Sequence, residues 1–179
     1  MSLVEDIEEC GWVFGKDIVD SLYACMQCGK CTGSCPSGRI TGYRTRRLMN
    51  KVQSGDRSIL EDPDIWLCTT CYTCYERCPR EVKTTDVIRA LRNVAAKEGH
   101  MSKTHRAVAM YVIKTGHAVP INDATKKLRK KLGLSEIPPT THKYPEALKA
   151  IQDISKKMKL DKLVGFDWNT MNLEDREEK

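Results

Sequence analysis

The chain has 179 residues and a formal net charge of +6 at pH 7, with 40% apolar residues, 6% aromatic residues and nine cysteines. Its longest unbroken apolar run, residues 107–113, is far short of the ~18 residues that cross a bilayer, and residues 1–10 carry four acids and no basic residue, unlike a secretory leader. The composition therefore points to a soluble, cytoplasmic chain with a modest core, in which cysteines serve metal rather than disulfides; its basic residues are dispersed among acids, which argues against nucleic acid.

In chain order, an N-terminal segment of residues 1–19 precedes a first cysteine block, Cys25-Met-Gln-Cys28-Gly-Lys-Cys31-Thr-Gly-Ser-Cys35-Pro36. Thr41 can then cap a helix through Tyr43, Leu48, Met49 and Val52 that stops at Gly55. Asp62-Pro63 reads as a helix start leading through Ile65, Trp66 and Leu67 into a second block, Cys68-Thr-Thr-Cys71-Tyr-Thr-Cys74-Tyr-Glu-Arg-Cys78-Pro79. Thr84 or Thr85 can cap a stronger helix with Val87, Ile88, Leu91, Val94 and Ala95 at helical period, ending at Gly99. Beyond it the cysteines cease. A helix over 102–115 turns Val108, Ala109, Val112 and Ile113 inward. Asn122 or Asp123 caps 124–132, where Leu128 and Leu132 form a stripe beneath a solvated face of lysines. Residues 145–160 carry Leu148, Ile151, Ile154 and Met158 at helical spacing. No alternating strand pattern of useful length appears, and the end, 172–179, reads as charged and loose. The fold class expected is mainly α: a cysteine-bearing domain at 20–99, a helical C-terminal extension at 100–165 for packing or subunit docking, and a charged tail at 166–179.

Both blocks are C-x2-C-x2-C-x3-C-P and begin 43 residues apart. Two residues between cysteines let a tight loop place three thiolates on three corners of a four-iron cube. In the two-cluster bacterial pattern the fourth cysteine of each run serves the other cluster. That rule assigns Cys25, Cys28, Cys31 and Cys78 to one 4Fe-4S cluster, and Cys68, Cys71, Cys74 and Cys35 to a second. The proline after the fourth cysteine turns the chain away and offers no competing N–H. Small Gly29, Thr32, Gly33 and Thr69 leave room for backbone N–H groups near the sulfurs. Structural zinc uses paired C-x2-C but gives no reason for triplets followed by C-P. The 32 residues between Cys35 and Cys68 are largely helical in pattern, unlike the short β-rich chain of compact two-cluster ferredoxins, and this is the arrangement expected of an α-helical ferredoxin domain.

The stretch from Ile65-Trp66-Leu67-Cys68 through Cys78-Pro79-Arg80, followed by Asp86-Val87-Ile88-Arg89-Ala90-Leu91-Arg92, resembles the iron–sulfur C subunit of heterodisulfide reductase, and Tyr23-Ala24-Cys25 through Pro36 agrees. The resemblance covers about residues 20–100; the iron–sulfur subunits of succinate dehydrogenases are more distant relatives. It implies an electron-relay role. The flavin-containing A subunit of heterodisulfide reductase would pass single electrons through two 4Fe-4S clusters to the catalytic B subunit, which reduces the CoM-S-S-CoB heterodisulfide in methanogenesis. A hydrogenase or formate dehydrogenase would belong to the larger complex. A freestanding two-cluster ferredoxin, or an iron–sulfur subunit of another anaerobic oxidoreductase, is the alternative.

The remaining residues agree with a relay that has no complete active site of its own. There is no adjacent Cys-Cys and no nucleotide-cradling glycine motif. Cys10 is the one thiol left over, read as a packed small hydrophobe. His100, His105, His117 and His142 have no metal-binding spacing. Trp66, Tyr72 and Tyr75 flank ligands and shield them from water. Lys30, Arg39, Arg77, Arg80 and Lys83 either favour reduced clusters or are solvated charge. Residues 126–132 form a basic amphipathic helix, either a solvated face or a docking surface. Eight ionised thiolates and two oxidised cubes at about +2 each would bring the formal +6 down to about +2.

Overall fold

The computed structural model describes residues 2–15 and 17–175, and residues 176–179 of the expected tail lie outside it. The chain divides into two compact units at His100 and Met101.

In the first unit, helices α1 (Leu3–Gly11), α2 (Ile18–Tyr23), α4 (Thr45–Gln53) and α6 (Thr84–Lys97) surround one apolar core. On α6 the expected period is realised: Val87, Ile88, Leu91, Val94 and Ala95 are buried. Helix α1 has no counterpart in the sequence reading. It buries Leu3, Ile7, Cys10 and Gly11 at a spacing of four, three and one, a narrow helical stripe. Gly11 permits its close approach, because an added Cβ would stand 3.2 Å from that of Ala90 on α6. Asn93 donates to the Cys10 carbonyl, and Lys97 pairs with Glu9. Residues 1–19, expected as a separate segment, thus include a wall of the same core, and Cys10 is buried in it as a packed thiol.

Helix α4 starts later than expected, at Thr45 rather than after Thr41. The Thr41 hydroxyl bonds instead to the Ser37 carbonyl and accepts from the Tyr43 N–H, a local turn that competes with helix. Short 3-10 turns at Arg57–Leu60 and Pro63–Leu67 lead to the second cysteine block, capped by Asp56 and Asp62.

The second unit contains α7 (Lys103–Thr115), α8 (Asp123–Lys131), α9 (Pro145–Lys157), α10 (Leu160–Val164) and a two-strand antiparallel hairpin. Strand β1 (Phe166–Asp167) pairs with β2 (Asn172–Leu173), Phe166 opposite Leu173. Its small core is Ile113, Val164 and Phe166, flanked by Met110, Leu160, Trp168 and Leu173. Arg106 is buried and donates from Nε to the Val164 carbonyl and from Nη2 to that of Glu174.

Four expectations change here. The hairpin makes 166–173 part of the core rather than tail; two-residue strands are too short to show alternation. Val108 is 41% exposed, and Ile113 with Arg106 forms the inward face of α7. The expected 145–160 helix breaks at Lys159, which has left-handed φ between α9 and α10. Leu128 and Leu132 are exposed rather than covered: α8 caps on Asn122 as expected, but a nine-residue helix with two leucines buries nothing. His117 stacks on His142 and bonds to the Thr140 hydroxyl.

Candidate metal centre

The two cysteine blocks share a backbone as well as a spacing. In each, the residue before the second cysteine and the one after it have left-handed φ: Gln27 at 59° and Gly29 at 82°, Thr70 at 53° and Tyr72 at 61°. A non-glycine residue held there costs on the order of 1 kcal/mol. Three of the four positions carry that strain, so the loop conformation is imposed by its surroundings. Such alternation of backbone hand gathers successive N–H groups into anion-binding concavities. A short helix follows each loop, α3 (Lys30–Ser34) after Gly29 and α5 (Thr73–Glu76) after Tyr72, and sets Cys31 and Cys74 in its first turn.

The eight cysteines divide between two cavities. Cys25, Cys28, Cys31 and Cys78 line one, with Gln27, Arg46 and Met49 in its wall. Cys35, Cys68, Cys71 and Cys74 line the other, with Tyr43, Thr45, Tyr72 and Thr85. Each cavity therefore has three cysteines from one block and the fourth from the other. Among the described residues no three His, Cys, Asp or Glu side chains are placed to hold a single metal ion. A four-iron cluster takes four thiolates, and each cavity presents four thiols that could hold one.

Backbone and side-chain donors reach the sulfurs. The Gly38 N–H donates to Cys35 Sγ at 3.4 Å, and the Val82 N–H to Cys78 Sγ at 3.3 Å. Gln27 Nε2 lies 3.6 Å from Cys25 Sγ and donates to Gln53 Oε1, whose own amide bonds the Leu22 and Cys25 carbonyls. Cys74 Sγ is 3.2 Å from the Thr85 hydroxyl, and Cys71 Sγ is 3.4 Å from that of Thr73. Sequence reasoning missed Gly38, Val82 and Thr85. The available signal was the chain's return past each fourth cysteine, where the C-P turn brings a later amide back to the sulfur.

Burial pushes the Cys74 thiol up to about 11, against the Thr85 hydroxyl, which lowers it. It raises Cys31 as well, while the Thr73 hydroxyl lowers exposed Cys71. Buried thiols of this kind ionise when a cation replaces the missing water, which is what iron supplies. The Tyr43 phenol is pushed well above its usual value, first by burial and then by Cys68 beside it. Arg92 anchors the second loop from α6, donating to the carbonyls of Ile65 and Cys68 at 2.8 and 2.6 Å.

The flanking residues separate. Trp66 is partly buried against the core with Arg92 over its ring. Tyr72 accepts from Arg89 and donates to Asp86, so its ring is fixed at the rim of the second cavity. Lys83 pairs with Asp17. Lys30, Arg39 and Arg77 line an open hollow with Gly33 and Ser34, and none of them forms an ion pair among the described residues.

Residues 21–82, the stretch holding both cavities' cysteines, match the 4Fe-4S dicluster domain family. Over 164 residues the chain is 57% identical to the iron-sulfur C subunit of the CoB–CoM heterodisulfide reductase of Methanopyrus kandleri, covering 91% of this chain and 85% of that protein. The chain belongs to the family of heterodisulfide reductase C subunits. It is also 57% identical over 156 residues to the C subunit of the H(2):CoB-CoM heterodisulfide,ferredoxin reductase of Methanothermobacter marburgensis, covering 87% and 84% of the two. With the C subunit of the Ferredoxin/F(420)H(2)-dependent CoB-CoM heterodisulfide reductase of Methanosarcina acetivorans it shares 52% over 144 residues, 80% and 89% of the two. The likeness to these iron-sulfur subunits thus extends beyond residues 20–100, the span legible from the motifs, into the second unit. Among the described residues no helix is long and apolar enough to cross a membrane.

Proposed function

We propose that this chain holds two 4Fe-4S clusters and relays single electrons from the flavin-containing A subunit of a heterodisulfide reductase to the catalytic B subunit that reduces the CoM-S-S-CoB heterodisulfide, in the cytoplasm, as a non-catalytic component. The observation that carries the reading is the division of eight thiols between two cavities, with Cys25, Cys28, Cys31 and Cys78 in one and Cys68, Cys71, Cys74 and Cys35 in the other. When bound, each cluster would take up and release one electron at a time.

The chain's own part is to hold, insulate and present. The crossed fourth cysteines tie both blocks to both sites, so neither loop can open without disturbing the other. Amides of Gly38 and Val82 stabilise the negative sulfurs of Cys35 and Cys78. The core behind the loops keeps water from one side, while exposed Cys28 and Cys71 mark where each site nears the surface. The cations Lys30, Arg39 and Arg77 offer an acidic partner surface a complementary face. A hydrogenase or formate dehydrogenase would belong to the larger complex.

The test is anaerobic reconstitution. The chain should carry about eight iron and eight sulfide, and should copurify with the flavin-containing and catalytic subunits. Cys78→Ser should disturb the cluster of the first block and Cys35→Ser that of the second, read by electron paramagnetic resonance. Isolated chain should exchange electrons with a dye yet leave the heterodisulfide intact. Heterodisulfide reduction by the chain alone would overturn the relay role. Full clusters with no affinity for either partner would favour a freestanding ferredoxin.

A further inference from the structure

The two cavities differ in their polar walls. In the first, the donors that reach a sulfur are already placed: the Val82 N–H lies 3.3 Å from Cys78 Sγ, and the two hydrogens of Gln27 Nε2 serve Cys25 Sγ and Gln53 Oε1. In the second, two hydroxyls are not satisfied. Tyr43 and Thr45 are each 1% exposed and line the cavity beside Cys68 and Cys74. Neither Tyr43 Oη nor Thr45 Oγ1 makes a hydrogen bond of normal distance and angle among the described residues; the groups that the Tyr43 phenol faces more loosely are the Cys68 thiol and the Thr45 hydroxyl itself. A buried hydroxyl without a partner costs about 1–3 kcal/mol. Tyr43 is, moreover, among the largest fully buried side chains. Two such groups in one wall mark the position of an acceptor, and Thr85 already bonds the one sulfur within its own reach, Cys74 Sγ.

We propose that the Tyr43 and Thr45 hydroxyls donate hydrogen bonds to the sulfur shell of the cluster in the second cavity and raise its reduction potential relative to a site lacking them. The inference rests on the reading that this cavity holds a 4Fe-4S cluster. Sulfur becomes more negative when an electron enters a cluster. A donor aimed at it therefore favours the reduced state more than the oxidised one, and the potential rises. The contribution of these two hydroxyls falls on one cluster only, because both line the second cavity and neither lines the first.

The experiment uses the full chain, anaerobically reconstituted, with Y43F and T45V made separately; each removes a hydroxyl and keeps nearly the same shape. Redox titration is followed by electron paramagnetic resonance, and the signal that Cys71→Ser perturbs is taken as that of the second cavity. Each variant should shift the reduced-to-oxidised ratio of that signal at fixed potential about tenfold toward oxidised, which is about 59 mV for one electron, with the other signal unmoved. In resonance Raman spectra, the deuterium sensitivity of the second cluster's iron–sulfur bands should weaken in both variants. An unmoved midpoint in both variants at about eight iron per chain overturns the inference alone, as does an equal shift of both clusters. If Y43F loses iron, T45V decides by the same two readouts. About four iron in the unsubstituted chain overturns the two-cluster reading and this inference with it.

Discussion

A Cβ on Gly38 would stand 2.8 Å from the carbonyl oxygen of Tyr43, and the same residue's N–H reaches Cys35 Sγ. The Arg44 guanidinium draws this loop closed by donating to the carbonyls of Gly38, Thr41 and Tyr43. Gly38→Ala must push the loop off its sulfur and should destabilise by about 2 kcal/mol, seen as a lower denaturation midpoint and faster iron loss to a chelator. Thr70 is the contrasting case. It is exposed, and its left-handed φ is a strain glycine would not feel, so Thr70→Gly should leave the midpoint nearly unchanged as relieved strain offsets added chain entropy. Arg92 acts from the other side of the second cavity. Arg92→Leu leaves the Ile65 and Cys68 carbonyls without their charged donor and should cost about 2 kcal/mol, with the second cluster's signal lost first on exposure to chelator.

At the scale of elements, the hairpin is tied to α10 by a side-chain hydrogen bond at the edge of the second unit's core. Trp168 Nε1 donates to Asp161 Oδ2 at 2.7 Å, and that bond holds the Asp161 carboxyl below its ordinary value. The stabilisation this linkage carries is fully present above the unfolded carboxyl's pKa of about 4 and is lost as pH falls through the lower folded value. Asp161→Asn should therefore flatten the acid limb of stability, measured as denaturation midpoints at pH 6 and pH 3. The elements legible in sequence are those with a long period or a clear cap. Helix α6 carries five apolar positions in register, and Asp62-Pro63 and Asn122 cap their segments as read. Helix α1 is not legible because four acids mask an apolar stripe of three residues and a glycine. The start of α4 is misplaced because Thr41 spends its hydroxyl on a turn rather than a cap.

For the whole molecule, all eight motif cysteines lie in the first unit, whose core and loops meet at the two cavities. Removing iron would leave buried thiols with no counter-charge and strained loops with nothing to enclose. Chelation should therefore lower the helical circular dichroism of the first unit. The acid response set by Asp161 and Trp168, within the second unit, should persist. A chelated chain with its full helical signal would show that the apolar core suffices without metal.

Sequence by itself determined the chemistry: the doubled C-x2-C-x2-C-x3-C-P spacing specifies thiolates in threes and a fourth from elsewhere, because such short loops cannot place them otherwise. It also carried the family, since the residues around the second block are specific to it. The crossed fourth cysteines were also legible from the spacing rule, and both cavities are lined accordingly; what the tertiary structure alone decided is what else stands beside the sulfurs. Val82, Thr85, Tyr43 and Thr45 carry no motif; they reach the sulfur cavities because α4, α6 and the loops before them fold over the cysteine blocks. Local spacing fixes which groups are neighbours along the chain, whereas burial and the loss of water decide which distant donors a sulfur must face.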